Sequence, residues 1–320
     1  MVQKEHRASV VIRPLREADL PAADRVMRSA FGTLVGVPEP AGFFGDAAWV
    51  PNRWRADPSA AWAAELEGEV VGSSFVTRWG SFAFVGPVTV RPDLWDRGIG
   101  GRLMEPIMDL LSQSGIRLAG LFTSPDSPKH LALYERFGFW PRHLTAVMAK
   151  PVEPACPSLP TSRYSELAED RKPACLQACR RLNDSLFEGL DPTPEVRAME
   201  AQGLGDTILI QDGAELAGFA ACHQGAGTEA GSGACYVKFA AVRPGGQASR
   251  SFGELLAACE SFASSQGASR LVAGVNTARH EAYVSMLQRG FRTEILGIAM
   301  HRPNDPGFSR SGLYVLDDWR

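Results

Sequence analysis

A short glycine-rich stretch carries the residues with the clearest chemical use. Arg97–Arg102 reads RGIGGR, and it follows the β-branched residues Val88, Thr89 and Val90, which predict the end of a strand. Apolar residues then recur at helical spacing, at Leu103, Ile107, Leu110 and Leu111. The first N–H groups of a helix have no intrahelical partner and carry partial positive charge, and glycines let an anion approach them. The order of strand, turn and helix therefore predicts a phosphate cradle.

Two common nucleotide motifs are excluded for this stretch. No Gly-Lys-Ser/Thr closes it, so it is not a P-loop, and it lacks the spacing of GxGxxG. A glycine-rich helix start can also serve only tight packing, and RGIGG alone does not separate the two interpretations.

The flanking residues favour a binding site. Leu118–Thr123 predicts a second strand, a break with two prolines follows, and Lys129–Phe137 predicts a short helix that ends at Gly138. The whole stretch resembles the acetyl-CoA-binding core of the GCN5-related N-acetyltransferase (GNAT) family. The resemblance rests on Val-x-Val-x-Pro, on RGIGG and on LYERFGF together.

The resemblance implies a set of residues that contact acetyl-CoA. They are Val88, Thr89, Val90, Trp95, Asp96, Arg97, Gly98, Ile99, Gly100, Gly101, Arg102 and Ser127. Trp95 departs from the family pattern, which has Gln or Arg there, and this puts one pyrophosphate contact in doubt. Ser127 stands where many members have an asparagine that contacts the pantetheine.

The resemblance also implies how an acetyl group is transferred. A backbone N–H near Val88–Val90 stabilises the oxyanion, and Tyr134 is the general acid for the departing sulfur. A core tyrosine is the alternative interpretation of Tyr134. No general base can be read from the sequence. Glu65, Glu67 and Asp93 are candidates that are better explained as surface charges, and His130 and His143 are better explained as structural or exposed residues.

The first half predicts the order β-α-β-β-β-α-β-α with a last strand near 144–148, which is a mixed α/β (α+β) sheet flanked by helices. Asp19 is the expected N-cap of the first helix. Thr33–Ser59 reads as irregular and carries four aromatic residues, at Phe43, Phe44, Trp49 and Trp54. These rings form either a wall of the acceptor site or part of the core.

The second half repeats the first at an offset of 152 residues. The repeated positions are Val90-Arg91-Pro92 on Val242-Arg243-Pro244, Gly101 on Gly253, Leu103 on Leu255, Gly115 on Gly267 and Gly138-Phe139 on Gly290-Phe291. A gap-free match over this length indicates a duplicated domain.

The repeat has lost the residues of the cradle. Gly98 becomes Arg250, Gly100 becomes Phe252 and Tyr134 becomes Met286. We therefore expect a catalytic first domain over residues 1–150, a proline-rich linker over 151–161 and a degenerate second domain over 162–320. The C-terminal GLYVLDDWR is expected to fold back as a terminal strand, with Trp319 packed.

Composition bounds the remaining possibilities. The net charge of -3 gives no reason to expect nucleic acid or an anionic membrane as a partner, and no run of residues approaches a membrane span. The six cysteines include no CxxC pair, which favours free thiols and no metal in a cytoplasmic protein. The oligomeric state stays open between monomer and homodimer.

The sequence thus predicts an N-acetyltransferase that uses acetyl-CoA and a small-molecule amine as acceptor, with catalysis in the first domain. The alternative is a non-catalytic acyl-CoA sensor or interaction protein, which would bind CoA without releasing free thiol. A third possibility places the activity in the second domain, and in that case a bulky residue at Gly100 would leave it unchanged.

Overall fold

A computed structural model describes residues 9–153 and 162–320. The first eight strands are β1 (Val11–Pro14), β2 (Ala61–Leu66), β3 (Glu69–Trp79), β4 (Phe82–Val90), β5 (Leu118–Thr123), β6 (Trp140–Pro151), β7 (Ser162–Arg163) and β8 (Gly205–Asp212). The other five are β9 (Glu215–Gly225), β10 (Gly231–Val242), β11 (Arg270–Asn276), β12 (Arg292–Arg302) and β13 (Val315–Leu316).

Eight α-helices alternate with these strands over the described residues. They are α1 (Leu20–Val35), α2 (Val50–Ala56), α3 (Ile99–Gln113), α4 (Pro128–Glu135), α5 (Lys172–Asp184), α6 (Thr193–Gln202), α7 (Ala248–Ser265) and α8 (His280–Gln288). None of the helices in the described part of the chain is long and apolar enough to cross a bilayer. The predicted linker over 151–161 falls mainly outside the described residues.

The chain divides into two compact units. Of the described residues, the first comprises 9–45, 49–77 and 85–114, and the second comprises 46–48, 78–84, 115–153 and 162–320. In the first unit β1 pairs antiparallel with β2, and β2 pairs antiparallel with β3 around the turn at Glu67 and Gly68. A core of Ala64, Val71, Leu94, Ile99 and Leu103 joins β2, β3 and α3.

The close contact of α3 with β3 fixes the start of that helix. A Cβ at Gly72 of β3 would lie 2.8 Å from the Thr89 carbonyl oxygen and 3.1 Å from Cδ1 of Leu103, so only glycine fits. The Ser74 hydroxyl also donates to the carbonyl of Leu103 at 3.2 Å.

The second unit contains a mixed sheet with the strand order β5-β12-β6-β11-β10-β9-β8-β7, and β13 pairs with β10. Its neighbouring pairs are antiparallel except β10 with β11, which run parallel. Two large apolar clusters lie in this unit. One packs under α7 and includes Phe252 and Met286, and the other packs under α5 and includes Trp79 and Trp319.

The structure confirms the repeat element by element. β5, α4 and β6 return as β11, α8 and β12 at the offset of 152 residues, whereas β3 and β9 differ by 146 because the hairpin before β10 is longer. The last strand of each copy is exchanged: β12 pairs with β5, and β6 pairs with β11. The compact units therefore do not follow the boundary expected at residue 150, which stays a prediction about the repeat.

Several local expectations were wrong. The sequence also suggests a strand over Trp79–Val90, but Trp79 ends β3 and β4 begins at Phe82, and the segment from Thr33 to Ser59 contains the end of α1 and the whole of α2. Asp19 makes no side-chain cap on α1, because its carboxylate pairs with Arg13 at 2.6 Å and accepts from the Arg16 amide. The ion pair lowers the pKa of Asp19.

Candidate active site

The predicted cradle lies in the first unit, where β4 ends and α3 begins. Val88 and Val90 are half-buried and pack against the core beneath α3, whereas the buried Thr89 faces away and its hydroxyl lies 3.3 Å from that of Ser73. Alternation along the strand thus leaves the backbone of Val88–Val90 held from both sides.

The turn between β4 and α3 is built by Trp95. The indole Nε1 donates to the carbonyl oxygen of Val90 at 2.7 Å, which ties the turn to the end of β4. Leu94 is buried beside it. The residue that departs from the family pattern therefore has a structural role here.

Two residues before α3 adopt left-handed backbone conformations. Asp96 has φ 64° and Gly98 has φ 76°, and Gly98 is the N-cap of α3. A Cβ at Gly98 would meet no atom within 4 Å. Glycine is favoured there for its backbone conformation, and the space above it is open to a ligand.

The start of α3 can hold an anion. The first hydrogen bond of the helix runs from the Arg102 amide to the Gly98 carbonyl at 3.3 Å, so the amides of Ile99, Gly100 and Gly101 have no acceptor within the helix. Arg97 and Arg102 are exposed on either side, and Ile99 is buried and anchors the turn. The residues present fit the diphosphate of a CoA ester.

The structure places the other two predicted site residues in the second unit. Ser127 is the N-cap of α4, and its hydroxyl accepts from the His130 amide at 3.4 Å. Tyr134 lies in the last turn of α4 and is half-buried. Burial raises the pKa of Tyr134 to about 12, and its hydroxyl makes no hydrogen bond with another described residue. Tyr134 therefore stays protonated near neutral pH.

The candidate bases are occupied or exposed. Glu65 pairs with Arg13 at 2.7 Å, Glu67 lies at an exposed hairpin tip, and Asp93 pairs with Arg91 at 2.8 Å. The hydrogen bond from Arg91 lowers the pKa of Asp93, which makes that carboxylate a weaker base. Burial, and then Lys129, lowers the pKa of His130, whereas His143 is exposed.

The aromatic residues between α1 and β2 pack on one another. Phe44 lies 5.5 Å from Phe31 and stacks on Trp49 at 5.2 Å, and the Trp54 indole donates to the Leu15 carbonyl at 2.9 Å. These contacts support packing within the first unit as the role of these rings.

Sequence reasoning missed a buried arginine beside β4. Arg53 on α2 is only 6% exposed, and its guanidinium donates to the Gly86 carbonyl at 2.8 Å and lies 4.9 Å above the Trp49 ring. Asn52 beside it is also buried. An arginine at the edge of an aromatic run gives no spacing signal that separates it from a surface charge.

A second missed cluster lies in the second unit. Lys238 on β10 lies 2.9 Å from Glu195 and 2.8 Å from Glu229, and His223 lies 3.2 Å from Glu195. Burial alone would raise the pKa of Glu195, but Lys238 and then His223 lower it to about 2. The lone lysine in the apolar run CYVKFAAV was the available signal.

Two of the three residues that replaced Gly98, Gly100 and Tyr134 in the second copy pack inward. Phe252 and Met286 are fully buried, whereas Arg250 is exposed and pairs with Glu254 at 2.8 Å.

Among the described residues no group of three or more His, Cys, Asp or Glu side chains is placed to hold a metal. The five described cysteines are free thiols.

A family model described as "Acetyltransferase (GNAT) family" matches residues 28–139, which is about a third of the chain and includes the cradle and Tyr134. This stretch is a GNAT domain. No curated protein matches the chain.

Solved structures show the fold of the whole chain. A putative acetyltransferase from Pyrococcus horikoshii is 14% identical with a TM-score of 0.68, over 95% of this chain and 93% of that one. A GCN5-related N-acetyltransferase from Sphaerobacter thermophilus is 15% identical with a TM-score of 0.60, over 91% and 95%. A tandem GNAT protein from the clavulanic acid biosynthesis pathway is 15% identical with a TM-score of 0.56, over 92% and 98%. The chain has the tandem GNAT fold.

Proposed function

We propose that the protein is an N-acetyltransferase that transfers the acetyl group of acetyl-CoA to the primary amine of a small molecule, by direct attack in the first copy. Membership of residues 28–139 in the GNAT family supports acyl transfer from an acyl-CoA. The observation that carries the proposal is the open start of α3, with free amides at 99–101 between two exposed arginines.

Binding and positioning are the first contribution of the chain. The amides of α3 and the side chains of Arg97 and Arg102 would hold the diphosphate, and the end of β4 would hold the pantetheine arm beside it. Acetyl-CoA supplies an activated thioester. Holding that thioester next to an amine converts a bimolecular encounter into an effectively unimolecular step, which can account for much of the rate.

Charge stabilisation and proton transfer are the second contribution. A backbone N–H near Val88–Val90 stabilises negative charge on the carbonyl oxygen as the C–N bond forms. The C–S bond then breaks, and Tyr134 donates its proton to the departing sulfur. Tyr134 carries that proton at neutral pH, as an ordinary tyrosine does, and burial raises its pKa further, to about 12.

The chain offers no carboxylate that is clearly set aside as a base. We propose that the acceptor enters as its free amine and that the proton released on C–N bond formation passes to solvent. The cytoplasm is the proposed location.

A matched pair of glycine substitutions tests the cradle. Gly100→Trp should abolish calorimetric binding of acetyl-CoA, because a large side chain would cover the α3 amides. Gly246→Trp is the control, since Gly246 is exposed in the corresponding turn before α7 and its Cβ would meet no atom within 4 Å. Equal binding by both variants would show that the cradle assignment is wrong.

A screen of small amines for free thiol release then separates the enzyme from a binder. Release that depends on the amine and is lost in Gly100→Trp is the expected result. Stoichiometric binding with no release over a broad amine set would favour a non-catalytic acyl-CoA sensor.

A further inference from the structure

The second copy contains an opening between two parallel strands. β10 pairs with β11 only from Ala234 to Val237. Beyond that point β10 pairs with β13, so that Ala240 faces Leu316 and Ala241 faces Val315. The Val242 amide also donates to the Tyr314 carbonyl at 3.3 Å. The segment Leu313–Arg320, here called the C-terminal segment, thus fills the place beside β10 that β11 leaves.

The C-terminal segment contacts residues of the second copy that are equivalent, in the repeat, to the first-copy residues proposed to contact acetyl-CoA. At the offset of 152 residues, Ala240–Val242 correspond to Val88–Val90, Phe252 to Gly100 and Arg279 to Ser127. The Phe252 ring lies 5.1 Å from that of Tyr314. The C-terminal segment therefore contacts three features of the second copy. They are the edge of β10, Phe252 in the first turns of α7, and Arg279 just before α8.

Arg279 is the main anchor of the C-terminal segment. Its side chain is fully buried, and its guanidinium donates to the Val315 carbonyl at 2.9 Å and to the Asp317 carboxylate at 3.0 Å. Removing the segment would leave this charge buried without its carboxylate, which is strongly unfavourable. The segment is therefore held as a permanent part of the fold and does not act as a mobile lid.

The rest of the second unit is shaped around the C-terminal segment. A Cβ at Gly274 would lie 2.2 Å from Cβ of Asp318, and a Cβ at Gly120 would lie 2.7 Å from the Trp319 ring. Val315 and Leu316 are fully buried in the two opposite apolar clusters of the sheet. Both faces of the sheet accommodate the segment.

We infer that the C-terminal segment is an intramolecular ligand of the second copy, seated where the first copy takes its acyl-CoA, and that it closes the second copy to that cosubstrate. The comparison with acyl-CoA rests on the proposed function, whereas the seating of the segment does not. The second copy is in this view a structural partner, and the chain binds one acyl-CoA.

Rebinding of the free segment tests the inference without reference to catalysis. A protease site inserted between the exposed residues Ser311 and Gly312 would be cut after folding, and the released peptide, which holds Gly312 and the C-terminal segment, would be removed. A labelled synthetic peptide of residues 313–320 should rebind at one equivalent by fluorescence anisotropy. A Leu316→Asp peptide should bind at least about tenfold more weakly, because it buries a carboxylate. A Tyr314→Phe peptide is the control and should bind as the native one does.

The inference is overturned if the cut chain keeps its circular dichroism but does not rebind the peptide, or if the intact protein binds two equivalents of CoA. Binding of no CoA by the intact protein, with normal peptide rebinding, would instead reject the proposed function alone. If the cut chain unfolds, hydrogen exchange in the intact protein decides. Protection of the Ala240–Val242 amides equal to that of the most protected core amides supports the inference, and much faster exchange contradicts it.

Discussion

Thr145 and Gly297 face each other across the ladder of β6 and β12, and they are also the same position in the two copies of the repeat. The pairs on either side are reciprocal, since Leu144 faces Ile298 and Ala146 faces Leu296. A local two-fold relationship therefore passes between Thr145 and Gly297. A Cβ at Gly297 would lie 2.1 Å from the Phe122 ring, so this position can hold only glycine.

The reciprocal pairing explains why the last strands are exchanged. Ile298 of β12 faces Thr123 of β5, and the equivalent Ala146 of β6 faces Val275 of β11. The last strand of each copy thus pairs with a strand of the other copy: β6 of the first copy pairs with β11, and β12 of the second copy pairs with β5. The exchange makes the two halves of the chain depend on each other for folding.

We expect a fragment of residues 1–150 not to fold on its own. Without β12 the edge of β5 is unpaired, and without β11 and β12 strand β6 has no neighbour on either side, so apolar strand edges are exposed. Circular dichroism and size-exclusion chromatography would show an unfolded or aggregated fragment. The control is the full chain cut between residues 153 and 162 after folding, whose halves should stay together. A monomeric, cooperatively melting fragment would contradict the prediction.

Tyr134→Phe should lower kcat by about 10² to 10⁴, the usual contribution of a positioned general acid. Binding of acetyl-CoA should be unchanged, because the proposed diphosphate site at the start of α3 is intact in this variant. With a pKa of about 12, Tyr134 stays protonated through neutral and moderately alkaline pH, so the wild type should show no loss of the acid below about pH 11. Steady-state kinetics over pH with calorimetry measures both effects. An unchanged kcat would reject the role.

His301 should make the second unit sensitive to mild acid. Burial lowers the pKa of His301 to about 4, while the ring Nδ1 donates to the Asp305 carbonyl at 2.7 Å and the buried Nε2 has no partner among the described residues. The unfolded chain takes up the proton near pH 6.5 and the folded chain only near pH 4. Stability is therefore complete above pH 6.5 and decreases by about 3 kcal/mol as the pH falls to 4.

Urea titrations at several pH values test the effect of His301. His301→Asn keeps a donor for the Asp305 carbonyl and should flatten the decrease between pH 6.5 and 4. His280→Asn is the control, because His280 is exposed and does not contribute to the pKa of His301, so its replacement should leave the profile as it is. If the free energy of unfolding of His301→Asn still decreases between pH 6.5 and 4, other groups cause the pH dependence.

Gly120→Ala should destabilise the protein by about 1 to 3 kcal/mol, because the added methyl overlaps the buried Trp319 ring and the core must shift. Gly246→Ala adds the same methyl in open space and should change stability by less than about 0.5 kcal/mol. Thermal melts of the two variants give the comparison, and the summed tryptophan fluorescence of the chain should change only in the first. Equal melting temperatures would mean that Trp319 can move aside at no cost.

The sequence alone determined the local features of the fold and the proposed cradle. The strand at Val88–Val90, the glycine turn and α3 followed from residue type and period, and the duplication followed from the constant offset of 152 residues. These features depend on neighbouring residues, or on comparing the chain with itself. The terminal strand and the packed Trp319 were also confirmed, with Val315–Leu316 in a strand and Trp319 buried.

Only the tertiary structure decided which strands pair and where the C-terminal segment lies. β6 and β12 carry equivalent patterns, so periodicity cannot say whether each pairs with its own copy or with the other one. The Trp95 indole on Val90, the ion pair that takes Asp19 from α1, and Arg279 on Asp317 likewise join residues that have no regular spacing. Burial and partner choice arise from distant parts of the chain, and local sequence does not encode them.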